Sequence, residues 1–304
     1  MTKEAEYESS DDSPTRNSLA RKKLAFIPEI LAWGVHKIAP WLSPHMVTAA
    51  SAFLTAEASY SATIRNTQTK IPNLITALKQ KDEKKRLVEA QALDSFDGAL
   101  AREINRVTPG RHDTRLGGLL DALNDRWGHL TMGTSRIVTA CQRDDLYGIV
   151  VAEVATITGP WPAYLRSEEE SKGNIVSESG DGWKDPFGFF GTHLGRTILA
   201  IPATLYPNIK VTIGEKTMVV PVQNINDTIS TISNIVTIYR RIKGGKPMKL
   251  PEPTDKDYAK EMAKRERIID DAKYRRKWLL GAAIGTGATV LGMHFLLAKK
   301  EIKN

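Results

Sequence analysis

Twenty-one consecutive residues in the last part of the sequence, 278–298, carry no formal charge. Three basic residues precede this segment at 275–277, and two lysines follow it at 299–300. A helix of about twenty apolar residues matches the roughly 30 Å hydrocarbon core of a bilayer, and Lys and Arg are typical of its ends. We therefore predict a transmembrane helix over 278–298 and a short polar tail over 299–304.

Small residues recur at helical spacing within the predicted span. Gly281 and Gly285 are four residues apart, and so are Ala283 and Gly287. A face of this kind lets a second helix approach closely. Two interpretations stay open: a span that packs against another helix, and a plain anchor without a partner.

The chain as a whole is less apolar than a protein built mainly of membrane spans, with a mean hydropathy of −0.30. We predict a disordered polar tail over 1–24, and a charged linker with a juxtamembrane helix over 242–277. Alternation around a Gly-Glu turn predicts an exposed hairpin over 209–220. Apolar stretches interrupted by polar residues predict further helices over 24–42, 42–64, 116–140, 146–165, 187–206 and 222–240.

The charge balance restricts the class of partner. The chain has 43 Lys and Arg against 35 Asp and Glu, a net charge of +8, which favours partners that carry phosphate. A nucleic-acid binder needs clustered basic residues interleaved with aromatic ones, whereas 255–277 contains only Tyr258 and Tyr274 and adjoins the predicted span. We therefore expect membrane lipids as partners and no nucleic acid. The single cysteine, Cys141, excludes a disulfide framework and a cysteine-based zinc site.

Four aspartates in two segments are the candidate functional residues. Asp94 and Asp97 are three residues apart, and Asp121 and Asp125 are four apart, so each pair shares one face of a helix. If the two helices are antiparallel neighbours, the four carboxylates come together and repel one another unless a cation is present. Ligands that are all oxygen select a hard ion, so we predict Mg²⁺ or Mn²⁺.

Residues beside the first aspartate pair suit a phosphorylated ligand. Gly98 and Ala101 carry little or no side chain, so a bulky ligand can approach the helix there. Arg102 offers a planar fork of donors for a phosphate. The sequence contains no P-loop or dinucleotide-binding fingerprint, and its six histidines lack the paired spacing of a zinc hydrolase.

This pattern resembles the signature of the CDP-alcohol phosphatidyltransferases, D-x-x-D-G-x-x-A-R followed by G-x-x-x-D-x-x-x-D. The matching positions are Asp94, Asp97, Gly98, Ala101, Arg102, Gly117, Asp121 and Asp125. Upstream, Pro-His-Met-Val-Thr at 44–48 resembles the P-N-x-V-T start of the family's first conserved span, with His45 in place of asparagine. The resemblance covers roughly 40–241 of this sequence.

The resemblance implies an all-α fold: a six-helix membrane bundle over 25–241, to which this chain adds its C-terminal span. Members of the family are usually homodimers in the cell membrane, with the active site facing the cytoplasm. They transfer a phosphatidyl group from CDP-diacylglycerol to the hydroxyl of a second alcohol and release CMP. We therefore expect an enzyme of phospholipid biosynthesis.

The resemblance also implies roles for the aspartates. Asp94, Asp97, Asp121 and Asp125 would hold the metal ions, and Asp125 would also act as the general base. A carboxylate within reach of the attacking hydroxyl can take its proton, an effect that is typically about 10²–10⁴ in rate.

Contacts to the CDP portion of the lipid are implied for the residues between and before the aspartates. Gly98 and Arg102 would contact the nucleotide diphosphate. His45 and Thr48, from the first conserved span, complete the expected binding site for the CDP-lipid.

The connection between the aspartate helices departs from the family pattern. Fourteen residues separate Arg102 from Gly117, more than is usual in the family, and the additional residues fall at 109–113. A threonine of this connection contacts the nucleotide in some members, and counting from the two sides gives Thr108 and Thr114 as alternatives. The insertion and the polar spans leave a second interpretation open, a non-catalytic membrane-anchored relative that binds nucleotide or lipid.

Two arginines are candidates for binding the phosphate of the acceptor. Arg196 begins the apolar part of the helix predicted over 187–206, at a position where relatives that use phosphorylated polyols carry an arginine, and Arg115 is the second candidate. The N-x-x-T-x-x-R start of members that use glycerol 3-phosphate is absent from 43–54. Its absence favours inositol phosphate over glycerol 3-phosphate as the acceptor.

Overall fold

The structure is a computed structural model that describes residues 26–68, 82–108, 114–175, 200–244, 246–247 and 258–301. Most of these residues are helical, which confirms the expected all-α class. The helices are α1 (Phe26–Ile38), α2 (Pro44–Gln68), α3 (Asp82–Val107), α4 (Thr114–Cys141), α5 (Leu146–Thr158), α6 (Trp161–Ser171), α7 (Val222–Gly244) and α8 (Tyr258–Glu301). Short antiparallel strands pair β1 (Asn174–Ile175) with β4 (Lys246–Pro247) and β2 (Ile209–Ile213) with β3 (Lys216–Val220).

Several element boundaries follow from local chemistry. α2 begins at Pro44, whose missing N–H costs nothing in a first turn, and the Ser43 hydroxyl accepts a hydrogen bond from Met46 N over 3.3 Å. Asp145 caps α5 by accepting from Gly148 N over 2.8 Å. The β2–β3 hairpin turns at Gly214, whose φ of 61° is one that glycine adopts without steric cost. The hairpin predicted over 209–220 is thereby confirmed.

Two predicted segments differ from the observed elements. The helix expected over 146–165 is two helices, because Pro160 and Pro162 cannot continue the hydrogen-bond ladder of α5. The juxtamembrane helix and the span of 278–298 form one continuous helix, α8. Of the helix expected over 187–206, only residues from 200 onward are described, and 200–205 are helical. The tail over 1–24 lies outside the described residues.

Small side chains allow the central helices to pack closely. α2 packs against both α3 and α4, α4 packs against α5, and α5 packs against α7. Ala58 and Ala62 of α2 are fully buried beside Leu205. Ala99 and Leu100 of α3 form a second buried cluster with residues of α1 and α2. α3 and α4, which carry the aspartates, are therefore held in place largely by a shared neighbour, α2.

α7 has a burial pattern opposite to that of a helix on a water-soluble protein. Its exposed face is apolar and includes Ile225, Ile232, Ile235 and Tyr239. Its buried face is polar and consists of Gln223, Asn226, Asp227, Ser230, Ser233, Asn234 and Thr237.

Asp227 forms an ion pair with Arg136 of α4, with 2.8 Å between Oδ1 and Nε. Both side chains of this pair are buried, at 0% and 3% exposure.

α8 docks on the bundle along much of its length. It packs against α6, α4 and α5, and Val290 is buried in a cluster with Ile137 of α4 and Ala152 of α5. Among the described helices, α8 is the one with the length and apolar composition needed to cross a membrane. The six-helix membrane bundle therefore stays a prediction, whereas a partner for the predicted span is present within the chain.

Candidate metal and nucleotide site

Three of the four predicted aspartates meet between α3 and α4. Asp94, Asp97 and Asp121 each offer one carboxylate oxygen, and these oxygens all lie within 4.8 Å of one another. The i, i+3 spacing on α3 turns Asp94 and Asp97 to one side of the helix, and α4 brings Asp121 to them. Asp97 is buried, whereas Asp121 is exposed. The cluster is therefore buried at Asp97 and open to solvent at Asp121.

Neighbouring helices hold two of these carboxylates in place. Thr48 of α2 donates a hydrogen bond from its hydroxyl to Asp97 Oδ2. Asn124 of α4 donates from Nδ2 to Asp94 Oδ1 over 2.7 Å, and the same Nδ2 lies 3.3 Å from Ser51 Oγ. Thr48, a residue predicted for the CDP-lipid site, thus donates to one of the clustered carboxylates, and its predicted contact with the lipid stays a prediction. Asn124 was missed, although its position three residues after Asp121 puts it on the same helix face.

Asp125, the expected base, lies beside the cluster. It lines a small cavity of about 60 Å³ together with Asp94 and Asn124. Its negative charge repels that of Asp94, as do the charges of Asp121 and Asp97. Arg126 Nη2 lies 3.5 Å from Asp125 Oδ2. Arg126 is itself held by donating from Nη1 to the Gly159 carbonyl over 3.0 Å. The carboxylate of Asp125 therefore faces both the acidic cluster and a buried cation.

Gly98 and Arg102 lie one turn apart on α3, beyond the aspartates. A Cβ at position 98 would meet only Arg102 Nη1, at 3.7 Å, so the space beside the guanidinium is open. Arg102 is about two-fifths exposed, and its Nη2 lies 3.7 Å from Glu29 Oε1 of α1. The pairing with Glu29 was not foreseen, because nothing in the local sequence connects α1 with α3.

His45 lies at the start of α2, on the wall of a larger cavity that also reaches Thr48 and Asn124. The structure therefore places both residues from the first conserved span beside the acidic cluster, one as a donor to a carboxylate and one on a cavity wall.

The remaining predicted residues lie farther from the cluster or outside the described chain. Thr108 follows the last turn of α3 and is exposed, and Thr114 begins α4. The inserted residues 109–113 and Arg196 lie outside the described residues. Arg115 Nε lies 3.0 Å from Asp271 Oδ1 of α8, and its guanidinium stacks 5.4 Å from the ring of Tyr274. The structure thus gives Arg115 partners on α8, and its predicted role toward the acceptor stays a prediction.

The clustered side chains offer ligands for a metal ion. The three clustered ligands are carboxylates, so each of them offers an oxygen atom. A hydroxyl and an amide hold two of these carboxylates by hydrogen bonds. Hard metal ions in general prefer oxygen ligands, whereas softer ones prefer nitrogen or sulfur. Carboxylates this close repel one another, and a bound cation relieves that repulsion. The described residues therefore contain a cluster that could bind a metal ion.

No protein-family model matches the chain, and no curated protein matches it in sequence.

Proposed function

We propose that this protein is a metal-dependent phosphatidyltransferase that transfers the phosphatidyl group of CDP-diacylglycerol to the hydroxyl of a phosphorylated alcohol. The observation that carries the proposal is the meeting of Asp94, Asp97 and Asp121, from two helices, in the register of the CDP-alcohol phosphatidyltransferase signature. The open space at Gly98, the residue after Asp97, lies beside Arg102 and supports a binding site for the diphosphate.

The reaction assigns a role to each part of the site. The acceptor hydroxyl attacks the phosphorus that carries diacylglycerol, the bond from that phosphorus to the CMP oxygen breaks, and CMP leaves. Asp125 takes the proton of the hydroxyl, because it adjoins the cluster and lines the same small cavity as Asp94. Arg102 binds the diphosphate. A bound Mg²⁺ or Mn²⁺ would be held by Asp94, Asp97 and Asp121, and it supplies neutralisation of charge on the phosphoryl oxygens.

The proposal includes a bundle that is embedded in the membrane. Its support is the apolar outer face of α7, together with large apolar side chains that are exposed on other helices, Phe53, Tyr60 and Val150. Large exposed apolar patches mark membrane or partner contacts, and small or polar residues at helix interfaces are typical of membrane bundles. We propose further that the protein is a homodimer of the cell membrane, with the acidic cluster toward the cytoplasm.

The function is tested by CMP release from labelled CDP-diacylglycerol in vesicles that contain the purified protein. We expect release with Mg²⁺ or Mn²⁺ and an alcohol acceptor, none with a chelator, and faster release with inositol phosphate than with glycerol 3-phosphate. Asp125→Asn should lower the rate by about 10²–10⁴ while metal binding remains. Asp144→Asn is the matched control, because Asp144 is exposed in a turn and its φ of 53° suits asparagine.

The experiment also separates the enzyme from the non-catalytic alternative. Binding of metal and CDP-diacylglycerol without CMP release, with every acceptor supplied, would identify a binding protein. Full activity in Asp125→Asn would show that another group is the base.

A further inference from the structure

A cavity of about 540 Å³ adjoins the acidic cluster, between α2, α4 and α8. Ligand sites in proteins commonly enclose about 300–1,000 Å³. At one end its wall includes Thr48, which donates to Asp97, and Asn124, which donates to Asp94. The remaining wall is largely apolar and includes Leu123 and Trp127. The cavity is therefore an apolar groove that begins where the aspartates are.

The wall contributed by α8 is made of small residues. Ala282, Gly285, Thr286 and Thr289 face the groove. A Cβ at position 285 would meet nothing within 4 Å, so space extends directly from the backbone of α8. The groove exists because α8 presents these residues rather than large ones at the face opposite Trp127.

Contacts before and after the groove, along the length of α8, hold this helix in position against the bundle. On the side that precedes the predicted span, Arg276 Nη1 lies 3.2 Å from Glu168 Oε2 of α6. Farther along, His294 Nδ1 lies 2.9 Å from Glu153 Oε1 of α5. An ionisable pair within a membrane segment is costly unless its members bind each other, so this contact fastens the span to the bundle. The groove is thus a fixed part of the fold.

We propose that the C-terminal helix α8 forms one wall of the binding site for an acyl chain of the CDP-linked lipid. This inference rests on the proposed function, which places the diphosphate of that lipid at the aspartates. A lipid held there has its chains next to the cluster, and the groove is the apolar space that shares Thr48 and Asn124 with it. α8 accordingly contributes to substrate recognition as well as to membrane attachment.

The probe is CDP-diacylglycerol with a photoreactive group in one acyl chain, crosslinked to the protein in vesicles and mapped by mass spectrometry. We expect labelling of α8 near Gly285, with competition by unlabelled long-chain CDP-diacylglycerol. Gly285→Leu fills the groove and should lower this labelling at least about tenfold, because leucine displaces several chain methylenes. Where the wild type releases CMP from short-chain CDP-dihexanoylglycerol, the KM of that reaction should be unchanged, since its chains barely enter the groove.

Two further variants keep the test decisive. Gly287→Leu is the matched control: its Cβ also meets nothing within 4 Å, but position 287 lies about 160° around the helix from 285. It should label like the wild type. Thr289→Leu fills the groove one turn farther on and should reproduce Gly285→Leu, which guards against a folding defect specific to position 285.

The outcomes distinguish the inference from the proposed function. In one outcome, α8 is labelled, the groove variants abolish the labelling, and the wild type releases no CMP. This result would support the acyl-chain site and refute the transferase activity. CMP release with labels confined to other helices, or undiminished in Gly285→Leu and Thr289→Leu, would refute the α8 wall alone. Equal competition by phosphatidylcholine would show a general lipid groove and would also overturn the inference.

Discussion

Thr48 illustrates how a residue can matter to the acidic cluster without being one of its ligands. Its hydroxyl donates to Asp97, whose side chain is buried. A donor of this kind fixes the direction of the carboxylate and thereby the geometry that a metal ion meets. The carboxylate register was readable from spacing alone, but this contact joins positions 48 and 97 of different helices.

Thr48→Val should weaken binding of Mn²⁺ by about 10–100-fold, the usual cost of losing a group that orients a metal ligand. Valine retains the shape of threonine and removes the donor. Binding is measured by calorimetry or by electron paramagnetic resonance of Mn²⁺. Thr134→Val is the control, because its hydroxyl donates to the Thr131 carbonyl within α4. Equal affinity for Mn²⁺ in Thr48→Val and the wild type would show that Thr48 does not contribute to metal binding.

At the scale of the element, the close approach of α4 and α5 depends on Gly133. A Cβ at this position would lie 2.2 Å from Oγ1 and 3.0 Å from Cβ of Thr156, a fully buried residue. The Cβ of Thr156 moves only with the backbone of α5, so no change of rotamer relieves this contact and the helices themselves must separate to admit a methyl group.

Gly133→Ala should therefore destabilise the protein by about 1–3 kcal/mol, the range found for overpacked cores. The measurement is thermal unfolding in detergent. Gly118→Ala, on the same helix, is the control: nothing lies within 4 Å of its Cβ, and alanine favours the helix. A Gly133→Ala variant as stable as Gly118→Ala would contradict the packing described.

The buried pair of Arg136 and Asp227 joins α4 to α7. Asp227→Leu leaves the arginine buried without its carboxylate and should cost about 3–5 kcal/mol. Replacing both members, with Arg136→Met and Asp227→Leu, should recover most of that loss, because no charge is then left in the interior. Folding is followed by monodispersity and thermal unfolding. A double variant no more stable than Asp227→Leu would show that the pair has a different role.

Element boundaries show where sequence patterns stop being informative. The capping residues Ser43 and Asp145 are local signals, and the helices that they start are where local rules put them. The break after α5 was missed because apolar composition continues through Gly159–Pro162, and only the prolines mark it. The sequence predicted two elements where α8 is one helix, because the composition changes near 277 whereas the helical backbone continues.

For the whole molecule, the inverted burial of α7 predicts which surface meets lipid. In a Cys141→Ser background, a spin label at Ile235→Cys should be relaxed more by oxygen, which concentrates in hydrocarbon, than by a water-soluble nickel chelate. Ile235 is 52% exposed on the apolar face of α7. A label at Glu215→Cys, in the exposed hairpin turn, is the control and should show the opposite preference. Access of nickel to position 235 would refute an embedded bundle.

The same inversion explains the low mean hydropathy of a chain proposed to lie in a membrane. Polar residues that would face water on a soluble protein are buried between helices, as with Ser233 and Asn234 on α7. Averages over a window count these residues against a span, and only the three-dimensional packing shows that they face inward.

The sequence by itself determined the helical class, the hairpin and the register of the aspartates, because each depends on contacts within a few residues. Spacing of three or four places carboxylates on one face whatever surrounds the helix. Only the tertiary structure decided that Asp94, Asp97 and Asp121 converge, that Thr48 and Asn124 support them, and that α8 docks on the bundle. These contacts join positions distant in the chain, and the packing of whole helices determines them.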